Sequence, residues 1–206
     1  MINKTIILSF FILFLFSANA QISQGGLPYS FLKQISSIDV PVVTTDDLDW
    51  KTIEQENRYD EEVNNPPKMA HLFEVNYNLN NSGIWTQLQN GDRLWRLKIQ
   101  TKDAKAVYLH YKDFYLPNES NLFVYSADRK QVIGAFTSYN NHKSGYFATE
   151  LIHSDAVIIE YYEPAKKIGE GSITIERIGH AYRMVYNKKK QRDFGDSEYC
   201  QVNINC

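Results

Sequence analysis

Residues Asp92–Asn140 have the sequence DRLWRLKIQTKDAKAVYLHYKDFYLPNESNLFVYSADRKQVIGAFTSYN, which carries the clearest strand pattern of the chain. Hydrophobic and polar side chains alternate within it, as they do when successive residues of a strand point to opposite faces of a sheet. This alternation occurs in four short segments: Leu94–Gln100, Ala106–Tyr111, Leu122–Ser126 and Val132–Thr137. Polar turns separate the segments, so we expect four consecutive strands here.

Strand patterns continue on both sides of this stretch. They begin at Ala70 and recur at Ile84–Leu88, Gly145–Thr149, Ala156–Tyr162 and Gly171–Ile178. About nine strands at short spacing, with almost no helix, are typical of a two-sheet β-sandwich. We therefore predict an all-β domain at residues 70–186, a β-sandwich of the jelly-roll type with a short N-terminal helix.

Residues 1–20 have the features of a bacterial secretory signal peptide. Lys4 provides the positive charge, Ile6–Phe16 the apolar run, and small residues precede a predicted cleavage site between Ala20 and Gln21. The apolar run is too short for a transmembrane anchor, which needs about 20 apolar residues. We expect a secreted, extracellular chain without a membrane segment after the signal is removed.

Residues 21–69 are predicted to form a leader that crosses the domain surface. Gln21–Pro41 lacks periodicity and is rich in Gly, Ser and Pro, which indicates an exposed, extended course. Thr44–Glu62 differs, since Thr45 or Asp46 can cap a short acidic helix there.

Charge and cysteine content restrict the possible partners. Removing Lys4 with the signal takes the net charge from −2 to −3, and this near-balance argues against binding to nucleic acid or anionic membranes. Cys200 and Cys206 stand close together in an exported chain, where disulfides are favoured. They could bridge each other, or each could pair with a cysteine elsewhere.

No motif points to a catalytic, cofactor-binding or metal-binding residue. The histidines show no metal-ligand spacing: His71, His110, His142, His153 and His180. Gly195-Asp196-Ser197 resembles parts of two serine-hydrolase signatures. However, Glu198 stands where the trypsin-like motif needs glycine, and residues 198–206 lack the Asp and His that a lipase-type site requires.

Two further features each have an ordinary and a functional interpretation. Trp50, Trp85 and Tyr108 could form a sugar-stacking platform on an exported binding module, although core packing explains them as well. The basic run at residues 187–194 is either a solvated linker or a processing site, with cleavage after Lys190 or Arg192.

A series of motifs from about Leu72 to Cys206 resembles the N-terminal propeptide of secreted bacterial lysyl endopeptidases, which are trypsin-like serine proteases. Their order and spacing carry the resemblance: Ser82-Gly83-Ile84-Trp85, Gly91-Asp92-Arg93-Leu94-Trp95-Arg96-Leu97, Ala104, Phe114–Pro117, Leu122-Phe123-Val124-Tyr125-Ser126, Ile133-Gly134-Ala135-Phe136-Thr137, Ile159-Glu160-Tyr161-Tyr162-Glu163-Pro164 and His180-Ala181-Tyr182-Arg183. The segment Phe194–Cys206 is similar to the first residues of the mature protease domain in that family.

The resemblance implies a folding assistant or inhibitor rather than an enzyme. In that family, the first two cysteines of the protease domain pair with cysteines farther along it, where the catalytic His, Asp and Ser also lie. By this resemblance, Cys200 and Cys206 have partners outside this chain, and residues 195–206 are the start of a truncated protease domain. The partner is a trypsin-like protease domain, in cis or in trans. Arg192 is the favoured cleavage site because it lies closer than Lys190 to the expected mature start.

Overall fold

The computed structural model of the protein describes residues 23–183, which form two β-sheets and two α-helices. The prediction of an all-β, two-sheet sandwich with a short helix is confirmed. The helices are α1 (Tyr29–Leu32) and α2 (Trp50–Glu62). The strands within residues 23–183 are β1 (Val42–Thr44), β2 (Ala70–Asn78), β3 (Ile84–Gln87), β4 (Arg93–Gln100), β5 (Ala106–Tyr115), β6 (Asn121–Ser126), β7 (Val132–Phe136), β8 (Phe147–Ala148), β9 (Ala156–Glu163) and β10 (Ser172–Ala181).

The strand order is that of a jelly roll. One sheet has the order β1-β4-β9-β6-β7, with β3 also beside β4, and the other has the order β2-β10-β5-β8. Apart from β1 and β3, the strands pair in a nested antiparallel series: β2 with β10, β4 with β9, β5 with β8, and β6 with β7. In this series the first strand pairs with the last, the second with the second-last, and so on inward, which is the double Greek key of a jelly roll. The last strand of the described residues, β10, lies between β2 and β5 and ends at Ala181.

The main core lies between the two sheets and follows the predicted alternation. In β4, Trp95, Leu97 and Ile99 are completely buried, while Lys98 and Gln100 on the opposite face remain partly exposed. Strand β9 is buried along almost its whole length. Its run of apolar, β-branched and aromatic residues is the composition expected of a strand covered on both faces.

The second face of β9 is covered by the leader. A small apolar cluster on the outer side of the six-stranded sheet contains Val40 from the leader together with Phe123, Tyr125 and Ile158. Ser30 in α1 is completely buried. The leader thus has buried contact points at Ser30 and Val40, while most of its described residues up to Pro41 are exposed or partly exposed. The outer faces of β6 and β9 carry large apolar residues, and burying these against the leader is favourable.

Buried polar groups fix the leader in place. The Glu160 carboxylate, which is 1% exposed, accepts hydrogen bonds from the Ser30 backbone N–H at 2.9 Å and from the Tyr125 hydroxyl at 3.1 Å. Arg96, opposite Glu160 on β4, donates to the Ser36 carbonyl at 2.7 Å. The leader therefore supplies partners for polar groups that would be costly to bury unpaired.

Two local predictions for residues 42–62 are revised. Helix α2 forms, but Asp49 caps it rather than Thr45 or Asp46, since the Asp49 side chain accepts from the Thr52 N–H at 3.2 Å. Strand β1 was not predicted. It runs parallel to β4 in the same sheet, so this sheet includes residues before the predicted boundary at residue 70.

Candidate functional site

The site residues predicted from sequence lie outside the described residues. Residues 23–183 exclude the signal cleavage position at Ala20 and Gln21, and the processing positions Lys190 and Arg192. Cys200 and Cys206 also lie outside, so the disulfide alternatives stay predictions.

An open groove of about 600 Å³ lies on the outer face of the four-stranded sheet, beside the end of β10. We call it the exit groove, and its lining consists of Lys68, Met69, Ala70, Leu72, Tyr108, Thr149, Glu150, Leu151 and Ala181. Two leucines from opposite sides of the sheet face solvent there, Leu72 with 37% and Leu151 with 36% exposure. Exposed apolar side chains that cluster in this way are typical of an interaction surface.

A glycine makes room for the aromatic ring on the floor of the exit groove. Gly179 of β10 is the register partner of both Leu72 on β2 and Tyr108 on β5. A Cβ atom at position 179 would lie only 2.1 Å from Cε1 of Tyr108, so the tyrosine ring lies directly over the glycine backbone. Burial raises the pKa of the Tyr108 hydroxyl. The ring therefore forms a fixed, neutral part of the groove floor.

The chain leaves the sandwich at the rim of this groove. After β10 ends at Ala181, the backbone N–H groups of Tyr182 and Arg183 both donate to the Met69 carbonyl, at 3.1 and 3.2 Å. The Tyr182 ring also packs edge-on against Trp50 of α2, with ring centroids 5.9 Å apart. Because Met69 and Ala181 both line the groove, the segment after Arg183 begins next to it.

A row of charged residues lies on the same outer face, two residues before Gly179 on β10. Arg177 is paired with Glu74 across the strands at 3.9 Å and with its neighbour Glu176 at 3.0 Å. These contacts raise the pKa of Arg177, with the Glu176 hydrogen bond as the main cause. Burial, and then the positive charge of Arg177, lower the pKa of His110 on β5. The face thus changes from apolar at the exit groove to charged farther along the strands.

A buried histidine lies close to the chain exit. His180 is 2% exposed, and neither ring nitrogen has a hydrogen-bond partner among the described residues. Burial, and then the neighbouring His71, lower the pKa of His180. His71 is its register partner on β2. We therefore assign a neutral imidazole to this position.

Two buried carboxylates near the C-terminal end of β9 are paired with neighbouring side chains and backbone. Asp92 accepts hydrogen bonds from the Tyr162 hydroxyl and from the Ala165 N–H, the latter at 2.8 Å. These bonds lower the pKa of Asp92, and burial together with Asp92 raises the pKa of Tyr162 to about 12. Glu163 is completely buried and forms an ion pair with Arg93. Both acids therefore stabilise the sheet end.

The three aromatic residues of the sugar-platform alternative belong to different elements. Trp50 lies at the start of α2 and Trp85 lies in β3, where the Arg93 guanidinium covers its ring at 3.7 Å from the centroid. Of the three, only Tyr108 lines the exit groove. Residues 23–183 thus do not bring them together in one pocket.

Sequence reasoning did not select the groove residues, although one signal was present. Leu72 stands on the face of β2 that otherwise carries Glu74 and Asn76, and Tyr108 stands on the polar face of β5. A large apolar residue on the solvent side of a strand indicates a possible contact surface. The signal could not show that Leu151, from a loop far along the chain, lies beside them.

The comparison with known protein families places no further constraint on the site. A scan against protein-family models finds no match to this chain. Within residues 23–183, no group of three or more His, Cys, Asp or Glu side chains is arranged to hold a metal ion. In the same part of the chain, neither helix has the length and apolar character needed to cross a lipid bilayer.

Proposed function

We propose that this chain is exported and that its β-sandwich acts as a propeptide-like partner domain for a trypsin-like protease domain, as its folding assistant and inhibitor. The proposal rests on the sequence resemblance and on one structural observation. Among the described residues the last strand ends at Ala181 and Arg183 is exposed, and both lie before the predicted processing positions Lys190 and Arg192. Cleavage there would leave every strand of the described sandwich intact.

This arrangement suits a domain that helps another domain to fold. Serine protease domains of the trypsin type contain many non-local strand contacts, and such topologies fold slowly. A preformed domain in the same chain stabilises a folding intermediate or the folded product in proportion to its preference for that state. Release then requires a cut in the connecting segment, where basic residues are concentrated.

The test is a fusion protein in which residues 1–193 of this chain are followed by the complete catalytic domain of a secreted lysyl endopeptidase, in place of that protease's own propeptide. We expect active protease in the culture medium, a mature N-terminus created by cleavage after Arg192 or Lys190, and Gln21 as the first residue of the released propeptide. A matched control carries Lys190→Gln and Arg192→Gln, which should retain an uncleaved precursor.

Two results would count against the proposed function. The first is an equal yield of active protease from the catalytic domain expressed without this chain. The second is cleavage at a position outside residues 187–194. A glycan array screened with the same secreted chain tests the alternative of a carbohydrate-binding module, since specific binding abolished by substitution of Trp50 or Trp85 would favour that module instead.

A further inference from the structure

Resting on the function proposed above, we propose that the exit groove is the surface with which this domain binds the folded catalytic domain of the protease. The occupant is the domain that begins at Phe194–Cys206 by resemblance, and the contact is an apolar protrusion of that domain seated between Leu72 and Leu151. Three observations support this assignment: the character of the groove, the rigidity of its floor and the position of the chain exit.

The groove has the composition of the centre of an interface. Its walls are formed by Met69, Leu72 and Leu151, and its floor by Tyr108 and Ala181. The two leucines are each more than one-third exposed, so a partner can still remove much of their apolar surface from water. Lys68 also lines the groove, but its ammonium is already paired with Glu56 at 3.0 Å, so the contact that we propose is an apolar one.

The floor of the groove is preorganised in the free domain. The Tyr108 ring lies over Gly179, which has no side chain to displace it. Both residues belong to the two central strands of the four-stranded sheet, β5 and β10, so the backbone beneath the ring has a paired strand on each side. Little side-chain freedom is then lost on binding, which is the condition under which a small groove contributes useful affinity.

The chain exit brings the proposed partner to the groove. The backbone N–H groups of Tyr182 and Arg183 are hydrogen-bonded to the Met69 carbonyl beside the groove. The linker of residues 184–193 then leads to Phe194, and it spans at most roughly 35 Å when fully extended. A short tether of this kind gives an effective concentration in the millimolar range. A weak contact therefore suffices in the intact precursor, and cleavage of the linker turns it into a dissociable complex.

The test measures binding in trans with the secreted chain, residues 21–206. The probe is the catalytic domain of a secreted lysyl endopeptidase whose nucleophilic serine is changed to alanine, so that the chain is bound and not digested. We expect Leu72→Ser/Leu151→Ser to weaken binding at least about tenfold, the usual loss at a central apolar anchor. The matched control is Ile84→Ser, an equally accessible residue (40% exposed) on the other sheet, which should bind like the wild type.

The outcomes separate this inference from the proposed function. If the wild type binds and the double variant binds equally well, the groove assignment is wrong and the proposed function stands. If the wild type does not bind the probe, both fail. Should the double variant not fold, Leu151→Glu replaces it, because residue 151 lies outside every strand. A concentration-dependent dimer of the wild type that the groove variant abolishes would overturn the assignment in favour of a second copy of the chain.

Discussion

Two completely buried tyrosines offer a matched test of how the leader is attached. Tyr125 donates to the buried Glu160 carboxylate at 3.1 Å, and Glu160 in turn accepts from Ser30 of the leader. Tyr111 is equally buried in the main core, but its hydroxyl has no partner among the described residues. Replacing each tyrosine by phenylalanine removes the same atom from the two environments.

The expected change in unfolding free energy differs between the two variants. Tyr125→Phe removes a hydrogen bond to a charged group, which is worth about 2 kcal/mol of unfolding free energy. For a domain of this size, that loss lowers the melting temperature by about 4–8 °C. Tyr111→Phe removes an unpaired buried hydroxyl, so it should be neutral or raise stability by about 1 kcal/mol.

The measurement is urea unfolding of the secreted chain, followed by tryptophan fluorescence. The midpoint should fall for Tyr125→Phe, with an unchanged dependence on urea concentration, and should stay or rise for Tyr111→Phe. An equal loss in the two variants would refute the reasoning, because it would mean that packing rather than the link to Glu160 determines the cost.

Two further predictions concern the end of β10. Acidification should lower the unfolding free energy. The pKa of His180 lies below its ordinary value of 6.5 in the folded chain, so the unfolded chain takes up the proton first and stability falls as the pH drops below about 6.5. His180→Phe should flatten this slope in urea titrations between about pH 7 and pH 5, while the lowered pKa of His110 contributes a slope of the same sign in both proteins. An unchanged slope would exclude His180 as a source of the pH dependence. Gly179→Ala should destabilise the domain by about 1–3 kcal/mol in the same assay, since the new methyl group would lie 2.1 Å from the Tyr108 ring. Adding Tyr108→Ala should recover most of that loss, and a neutral Gly179→Ala would show that the ring does not lie over the glycine.

Much of the fold could be predicted from local patterns. The alternation in Leu94–Gln100 predicted β4, and the continuous apolar run in Ala156–Tyr162 predicted a strand buried on both faces. These signals are contained within a few consecutive residues, because a strand places every second side chain on the same face. Their number and spacing were enough to indicate a two-sheet sandwich.

Segments without such a pattern were predicted in less detail. The leader lacks periodicity, yet two of its residues are buried against the outer face of the six-stranded sheet. Val40 packs with Tyr125 and Ile158, and the Ser30 N–H donates to the Glu160 carboxylate. β1 has only three residues and is stabilised by parallel pairing with β4, which lies far along the chain. The N-cap of α2 is Asp49 rather than Thr45 or Asp46, because the helix begins at Trp50, later than the sequence pattern indicated.

Local sequence patterns were sufficient to predict the all-β class and most of the strands, and the sequence also led to the expectations of export and of a protease partner. The pairing of the strand edges, the position of the leader and the meeting of Leu72, Tyr108, Leu151 and Ala181 in one groove beside the chain exit became visible in the structure alone. Side-chain alternation is a property of neighbouring residues, whereas a groove is formed by the pairing of β2, β10 and β5 with a loop that none of them adjoins in sequence.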